Sequence, residues 1–139
     1  MTHPGRSPCF RSSLRAVRAV VDESGKPLKA PELEVAEAAS PEAIYVLDRM
    51  LIEVMERGTG RAAKKQLPAG LVVAGKTGTS NDYRDSWFAG FSGSHLLIVW
   101  VGHDDNSPTG LTGTTGALAA WSRLMGSIDT SSFEPLMPE

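Results

Sequence analysis

Three consecutive residues late in an apolar run carry the chemistry that this sequence offers. Lys76 supplies a cation, Thr77 a hydroxyl group, and Gly78 a backbone without a side chain. A lysine cation attracts anions and stabilises developing negative charge, while a glycine lets a ligand approach the backbone closely. Taken alone, such a triplet is also typical of a turn with a solvated lysine. Its surroundings therefore have to decide between these two interpretations.

The residues around the triplet predict an antiparallel sheet. Residues 71–79 form an apolar run that ends in small polar residues, as a strand does, and residues 86–91 and 95–103 predict two further strands. Short turns separate the three strands, so we expect a meander. Because residues 95–103 are apolar for most of their length, we expect that strand to be buried on both faces or to lie near the sheet centre.

Helices are predicted on either side of these strands. Ser40 is a favourable N-cap, Pro41 suits the first helical position, and Gly58 is a natural stop, with an apolar stripe at helical spacing between them. Residues 116–124 predict a second helix that packs on the sheet. The fold class is therefore α/β in content (α+β), with an antiparallel sheet flanked by helices.

The remaining stretches set the predicted boundaries. Residues 1–13 are rich in Pro, Ser, Gly and Arg, which predicts a loop or a disordered, non-native lead-in. Residues 14–29 predict a β-hairpin with a turn at Glu23-Ser24-Gly25-Lys26. Residues 31–39 are acidic and predicted to be irregular, and residues 127–139 are predicted to be a loose C-terminal tail.

The triplet and the strands after it resemble the class A, or bifunctional, penicillin-binding proteins. The run GKTGTSNDYRDSWFAGF is similar to the third active-site motif of that family. The resemblance continues in Trp87-Phe88-Ala89-Gly90, in Val99-Trp100-Val101-Gly102, and in Gly116 and Trp121. It covers residues 11–126 and implies that residues 14–126 are the C-terminal portion of a β-lactamase-like transpeptidase domain.

The resemblance implies a role for each residue of the motif. Lys76 would be a catalytic residue beside the nucleophile, and the backbone N–H of Thr79 would belong to the oxyanion hole. Thr77 and Gly78 would bind the substrate, a peptidoglycan stem peptide ending in D-Ala-D-Ala. Tyr83, in the following loop, either touches this substrate or is simply exposed. A peptide that adds along residues 71–79 needs a free edge, so we expect an edge strand.

The family also needs a serine nucleophile, and this sequence has neither an S-x-x-K nor an S-x-N motif. The family places both motifs upstream of the position of residue 14, with a glycosyltransferase domain and membrane anchor further upstream. We therefore expect the chain to be inactive alone, and marginally stable because surfaces that pack against the missing part are exposed. Residues 1–10 are unlike the family, which suggests that Met1 is a false start. A non-catalytic module that binds peptidoglycan peptides is the alternative.

A second motif overlaps the triplet. Residues 70–77 match the P-loop pattern G-x-x-x-x-G-K-[ST] letter by letter, so a nucleotide-binding protein is the competing hypothesis. A P-loop needs a strand before its first glycine and a helix directly after its lysine. Here residues 66–69 predict no strand, and residues 78–85 contain several residues that disfavour a helix. The context therefore argues against nucleotide binding.

Composition and family together limit the partners. The net charge of −2 gives no reason to expect nucleic acid, and the single cysteine, Cys9, allows no internal disulfide. The chain shows no signal peptide and no apolar run near the ~18 residues of a membrane span. Residues 103–106 (HDDN) favour a polar turn over a metal site, so no metal is predicted.

The resemblance implies no cofactor. As partners it implies the stem peptide, β-lactams in the intact parent, and the missing N-terminal part of the same domain. It places that parent at the periplasmic face of the bacterial inner membrane.

Overall fold

The computed structural model describes residues 9–12, 19–28 and 34–138. The chain divides into two compact units, Met1–Ile44 with Met137–Glu139, and Tyr45–Leu136. In the first unit, β1 (Cys9–Ser12) pairs antiparallel with β2 (Val35–Ala39). The predictions of a loop over residues 1–13 and of irregular structure over residues 31–39 are therefore wrong for these two strands. The pairing joins residues more than twenty positions apart, which no local pattern reveals.

A tight turn occupies the described residues 19–28. The Asp22 carboxylate accepts hydrogen bonds from the backbone N–H groups of Ser24 and Lys26, each at 2.9 Å, and Gly25 takes a φ of 81°. Val21 and Pro27 form a single antiparallel bridge across it. The predicted turn is confirmed, while the outer parts of the predicted hairpin lie outside the described residues.

Helix α1 (Pro41–Glu56) belongs mostly to the second unit. The Ser40 hydroxyl accepts a hydrogen bond from the Ala43 N–H at 3.3 Å, so the predicted N-cap is confirmed. The Gly58 N–H donates to the Glu53 carbonyl at 3.1 Å, just past the end of the helix. Met55 is buried on the inner face of α1, whereas Leu47 is exposed.

The predicted meander is confirmed by strands β3 (Ala74–Thr79), β4 (Ser86–Phe91) and β5 (Leu96–Val101), which pair antiparallel in that order. Within the described part of the chain, β3 therefore lies at an edge of the sheet, as predicted. Thr77 lies opposite Phe88, and Phe88 lies opposite Val99.

Strand β5 does not have the predicted environment. It is the other edge of this three-stranded sheet, and its side chains alternate between exposed and half-buried, so the prediction of a central or doubly buried strand is wrong. Leu97 and Val99 pack towards the core, but Leu96 and Ile98 are 66% and 62% exposed. The apolar run places apolar side chains on both faces, and only one face is covered within the described residues.

Helix α2 (Ala117–Ser127) covers the face of the sheet that carries Leu97 and Val99. The helix extends three residues beyond its predicted end. Trp121 is fully buried and stacks at a tilt on Phe88, with ring centroids 4.8 Å apart. Its indole N–H donates to the carbonyls of Gly90 and Leu97, at 3.3 and 3.2 Å. The main cluster of buried hydrophobic residues consists of Met55, Ala63, Val73, Phe88, Ala117, Leu118, Trp121 and Met125.

The residues after α2 have no regular secondary structure, but several are anchored. The Phe133 N–H donates to the Val72 carbonyl at 2.9 Å, and the Val72 N–H donates to the Ser132 hydroxyl at 3.1 Å. The Phe133 ring packs edge-on against Phe91. The prediction of a loose tail is therefore wrong for these residues. Among the helices described, none combines the length and the apolar character that a membrane crossing requires.

Candidate active site

The Lys-Thr-Gly triplet lies in the middle of β3, along the edge of the sheet. The Lys76 side chain is exposed, and its Nζ donates to the Thr77 carbonyl at 2.7 Å and to the Thr77 hydroxyl at 3.3 Å. Since β3 and β4 are antiparallel partners in register, Lys76 stands opposite Ala89 and Gly78 opposite Trp87. A cation and a hydroxyl thus converge on a strand edge that an extended peptide could join.

A second hydroxyl approaches Thr77 from the segment after α1. The side-chain oxygens of Thr59 and Thr77 lie 2.8 Å apart, a short hydrogen bond in which either can donate. The Thr114 hydroxyl in turn donates to the Thr59 carbonyl at 3.2 Å. Thr59 therefore contacts the threonine of the triplet directly, and Thr114 holds the Thr59 backbone from a third segment of the chain.

The loop before α2 packs closely against the same strand. The Gly113 N–H donates to the Thr79 hydroxyl at 2.9 Å. A Cβ at Gly113 would lie 2.7 Å from the Gly78 carbonyl oxygen and 2.8 Å from the Thr77 Cβ. Because real side chains do not come so close to backbone atoms, only glycine fits here. By accepting the hydrogen bond from Gly113, the Thr79 hydroxyl holds this loop against β3.

The turn after β3 is held in an unusual conformation. Asp82 and Tyr83 have φ values of 58° and 54°, a region that non-glycine residues seldom adopt. The Tyr83 carbonyl accepts hydrogen bonds from the N–H and the hydroxyl of Thr109, at 2.9 and 2.7 Å. Arg84 also binds the Asn106 carbonyl. These contacts fix the turn and leave the Tyr83 side chain 54% exposed beside the end of β3.

Asp85 ends this turn, and hydrogen bonds lower the pKa of its carboxyl group. The Trp100 indole N–H donates to the Asp85 carboxylate at 2.9 Å, and the Asp85 N–H donates to the Ser80 hydroxyl at 2.8 Å. Hydrogen bonding from Trp100, and secondly from Ser80, lowers the pKa of Asp85 below its ordinary value. The Asp85 carboxylate therefore stays charged at more acidic pH than an ordinary aspartate.

The structure brings some of the predicted site residues together. Lys76 and Thr77 are in contact, Gly78 and Thr79 follow them along β3, and Tyr83 stands in the next turn. Their chemical roles stay predictions. The sequence reasoning did not find Thr59 and Gly113, which lie against the triplet, or Thr114, which holds the Thr59 carbonyl. The local signal is weak, because Thr59 stands between two glycines and Gly113 between two threonines, which is a pattern without a specific chemical meaning.

The phosphate-binding interpretation of the overlapping motif is wrong. Lys76 and Thr77 lie inside β3 and are paired with β4, whereas a P-loop lysine follows a loop and opens a helix. The segment after β3 is a short 3-10 turn, Asn81–Tyr83, that leads into an antiparallel strand. Within residues 9–12, 19–28 and 34–138, no group of three or more His, Cys, Asp or Glu side chains is placed to hold a metal ion.

Comparison with known proteins gives consistent matches. Residues 8–120 match the penicillin binding protein transpeptidase domain family. The chain is 38% identical to penicillin-binding protein 1B of Escherichia coli, over 93% of this chain and 15% of that protein. It is 37% identical to penicillin-binding protein 1B of Vibrio cholerae, over 83% of this chain and 15% of that protein. With penicillin-binding protein 1A of Pseudomonas aeruginosa the identity is 44%, over 59% of this chain and 10% of that protein.

A solved structure shows the same fold. Penicillin-binding protein 1A of Haemophilus influenzae superimposes with a TM-score of 0.66, over 93% of this chain and 26% of that chain, at 20% identity. The predicted fold class, a partial transpeptidase domain with helices and antiparallel strands, is confirmed. The chain spans about 15% of the length of the first two of these curated relatives.

Proposed function

Because the chain belongs to the family of penicillin-binding protein transpeptidase domains, we propose that it supplies the Lys-Thr-Gly strand of a peptidoglycan D,D-transpeptidase active site. One observation carries the proposal. The Lys76 ammonium and the Thr77 hydroxyl lie 3.3 Å apart on an edge strand, where both can reach one carboxylate. A peptide ending in D-Ala-D-Ala offers that carboxylate and a backbone that can pair with β3.

The proposed reaction is acyl transfer from D-Ala-D-Ala by way of a nucleophilic serine, and this sequence contains no S-x-x-K motif that would supply that serine. The serine oxygen bonds to the carbonyl carbon of the penultimate D-alanine, and the bond to the terminal D-alanine breaks. The serine proton passes, through a base, to the departing amine. The nitrogen of an amine on a neighbouring stem peptide then bonds to the same carbonyl carbon, and the bond to the serine oxygen breaks. The amine proton passes through the base to that oxygen, which regenerates the serine and completes the cross-link.

This chain's own residues would assist that reaction by binding and by charge stabilisation. Lys76 and Thr77 hold the terminal carboxylate, and Gly78 permits close approach of the peptide backbone. The Thr79 N–H is proposed as one donor to the carbonyl oxygen that becomes negative, a contribution typically of about 3–4 kcal/mol in the transition state. Tyr83 is proposed to contact the substrate from the turn after β3.

Titration of the full chain with a short peptide ending in D-Ala-D-Ala tests the proposal. We expect weak, reversible binding that Lys76→Ala reduces about tenfold, a loss of about 1.4 kcal/mol. Lys65→Ala, which removes an exposed lysine from a 3-10 helix, is the matched control and should bind like the wild type. Equal affinity of Lys76→Ala and the wild type would sink the proposal.

The lack of an S-x-x-K motif favours a second candidate, a module that binds peptidoglycan peptides without turnover. Both candidates predict that fluorescent penicillin forms no covalent adduct with this chain. They differ in a chimera, in which residues 14–126 replace the matching segment of Escherichia coli penicillin-binding protein 1B. The transpeptidase proposal expects the chimera to cross-link, and expects Lys76→Ala to abolish this; an inactive but folded chimera favours the binding module.

The intact parent is proposed to act at the periplasmic face of the inner membrane. There its partners would be the stem peptide, β-lactams, and the remainder of its own domain.

A further inference from the structure

Thr59 is placed to act on the ligand through Thr77. We propose that Thr59 is a positioning residue that directs the hydroxyl proton of Thr77 outwards, and so selects a carboxylate over an amide at the C-terminus of the bound peptide. The inference rests on the proposed function, which it deepens. It begins from the 2.8 Å contact between the two threonine hydroxyls.

The hydrogen-bonding capacity of a hydroxyl makes this contact directional. The Thr77 oxygen has one proton to donate and two lone pairs that accept. The Lys76 ammonium can only donate, so its 3.3 Å contact uses one lone pair of Thr77. If Thr59 donates as well, both lone pairs are filled and the single Thr77 proton points to the ligand. In the reverse orientation that proton would be spent on Thr59.

The ligand decides between these two orientations. A carboxylate oxygen only accepts hydrogen bonds, so it favours the arrangement in which Thr59 donates and Thr77 presents its proton. A terminal amide also brings N–H donors, and these would meet a Lys76 that only donates and a Thr77 whose lone pairs are filled. The charge of Lys76 adds a preference for the anion, but it does not orient the hydroxyl.

The backbone around Thr59 is held firmly enough for this role. The Gly58 N–H donates to Glu53 at 3.1 Å and the Gly60 N–H donates to Val54 at 3.0 Å, which fixes the segment to the end of α1. The Thr114 hydroxyl holds the Thr59 carbonyl at 3.2 Å from the other side. The Thr59 side chain is exposed, so a valine of nearly the same shape can replace it without filling a buried space.

The test compares two peptides on the full chain, one ending in D-Ala-D-Ala and the same peptide with a C-terminal amide. We expect the wild type to prefer the carboxylate form about tenfold, and Thr59→Val to reduce this preference about fivefold, mainly by weakening the carboxylate form. Thr59→Ser keeps the hydroxyl and should keep the preference. Thr130→Val is the matched control, because Thr130 is a hydrogen-bonded threonine at the Ser92–His95 turn.

An unchanged preference in Thr59→Val would overturn the inference. This includes the case in which both peptides lose affinity by the same factor, which would mean a merely structural role. If the wild type binds neither peptide, the proposed function fails. The positioning role of Thr59 is then tested separately by three-bond NMR couplings, which report the side-chain rotamer of Thr77. A single Thr77 rotamer in the wild type and Thr59→Ser, but averaging in Thr59→Val, supports it; equal rotamer populations in all three overturn it.

Discussion

The hydroxyl of Ser86, in β4, accepts a hydrogen bond from the backbone N–H of Ala117 at 2.8 Å and so caps the start of α2. The same hydroxyl donates to the Thr112 carbonyl at 2.7 Å. The residue before the helix, Gly116, has no side chain to do this, so the cap comes from a strand. Ser86 therefore ties the sheet both to α2 and to the loop that contacts the triplet.

Ser86→Ala should leave the backbone N–H of Ala117 without its partner at a buried site, whereas the Thr112 carbonyl keeps its hydrogen bond from the Gly116 N–H. We expect a loss of about 1–3 kcal/mol in the free energy of unfolding, measured by urea denaturation. Ser127→Ala, which removes a hydroxyl that donates to Leu124 at an exposed position, should cost less than about 0.5 kcal/mol. Equal losses in the two variants would contradict the capping role.

Trp121 is expected to be the largest single contributor to the core. Trp121→Ala should lower the free energy of unfolding by about 3–5 kcal/mol, because it removes a fully buried ring. Trp121→Phe keeps most of the packing but leaves the carbonyls of Gly90 and Leu97 without their indole donor, so a loss of about 1–3 kcal/mol is expected. The control, Trp87→Phe, changes a ring that is 45% exposed and should cost less than either.

Gly113→Ala should disturb the triplet through the backbone. The added methyl group would meet the Gly78 carbonyl oxygen at 2.7 Å and the Thr77 Cβ at 2.8 Å, so β3 must shift, at a cost of about 1–3 kcal/mol. We expect altered amide NMR signals of residues 76–79. The control, Gly110→Ala, meets only open space at a φ of 70° and should leave those signals unchanged. Unaltered signals in Gly113→Ala would contradict the close packing.

Asp85 should make the stability of the second unit depend on acidic pH. Its pKa in the folded chain lies below the ordinary value of about 3.9, so its contribution is fully present above that value and disappears as the pH falls through the lowered pKa. Asp85→Asn cannot ionise. The difference in melting temperature between wild type and variant should therefore be largest above about pH 5 and shrink below about pH 3. A constant difference across this range would argue against the carboxylate–indole bond.

The outer face of β4 and β5 should promote self-association of the isolated chain. Leu96 and Ile98 are 66% and 62% exposed there, beside Trp87 and Trp100. Replacing Leu96 and Ile98 by threonine keeps strand propensity, so the monomer fraction in sedimentation should rise while the melting temperature stays within a few degrees. Leu97→Thr, on the opposite face, should instead lower the melting temperature, since Leu97 packs against the core. An unchanged monomer fraction in the double variant would contradict the prediction.

Local patterns in the sequence determined most of the elements. The Ser40 cap, the end of α1 near Gly58 and the three-stranded meander follow from interactions between near neighbours in the chain, and all three are confirmed. The Lys-Thr-Gly motif and the strands after it were enough to indicate the family. A motif is a set of residue types in a fixed order, so it can be recognised without the three-dimensional structure.

Only the tertiary structure decided which distant groups meet. The pairing of β1 with β2 and the contact of Thr59 with Thr77 join segments that no short-range periodicity relates. The exposure of Leu96 and Ile98 likewise depends on what covers a face, and not on the residues of that face. Hydrogen bonds and burial between distant segments depend on how the whole chain packs, whereas helix caps, turns and alternation depend on a few consecutive residues.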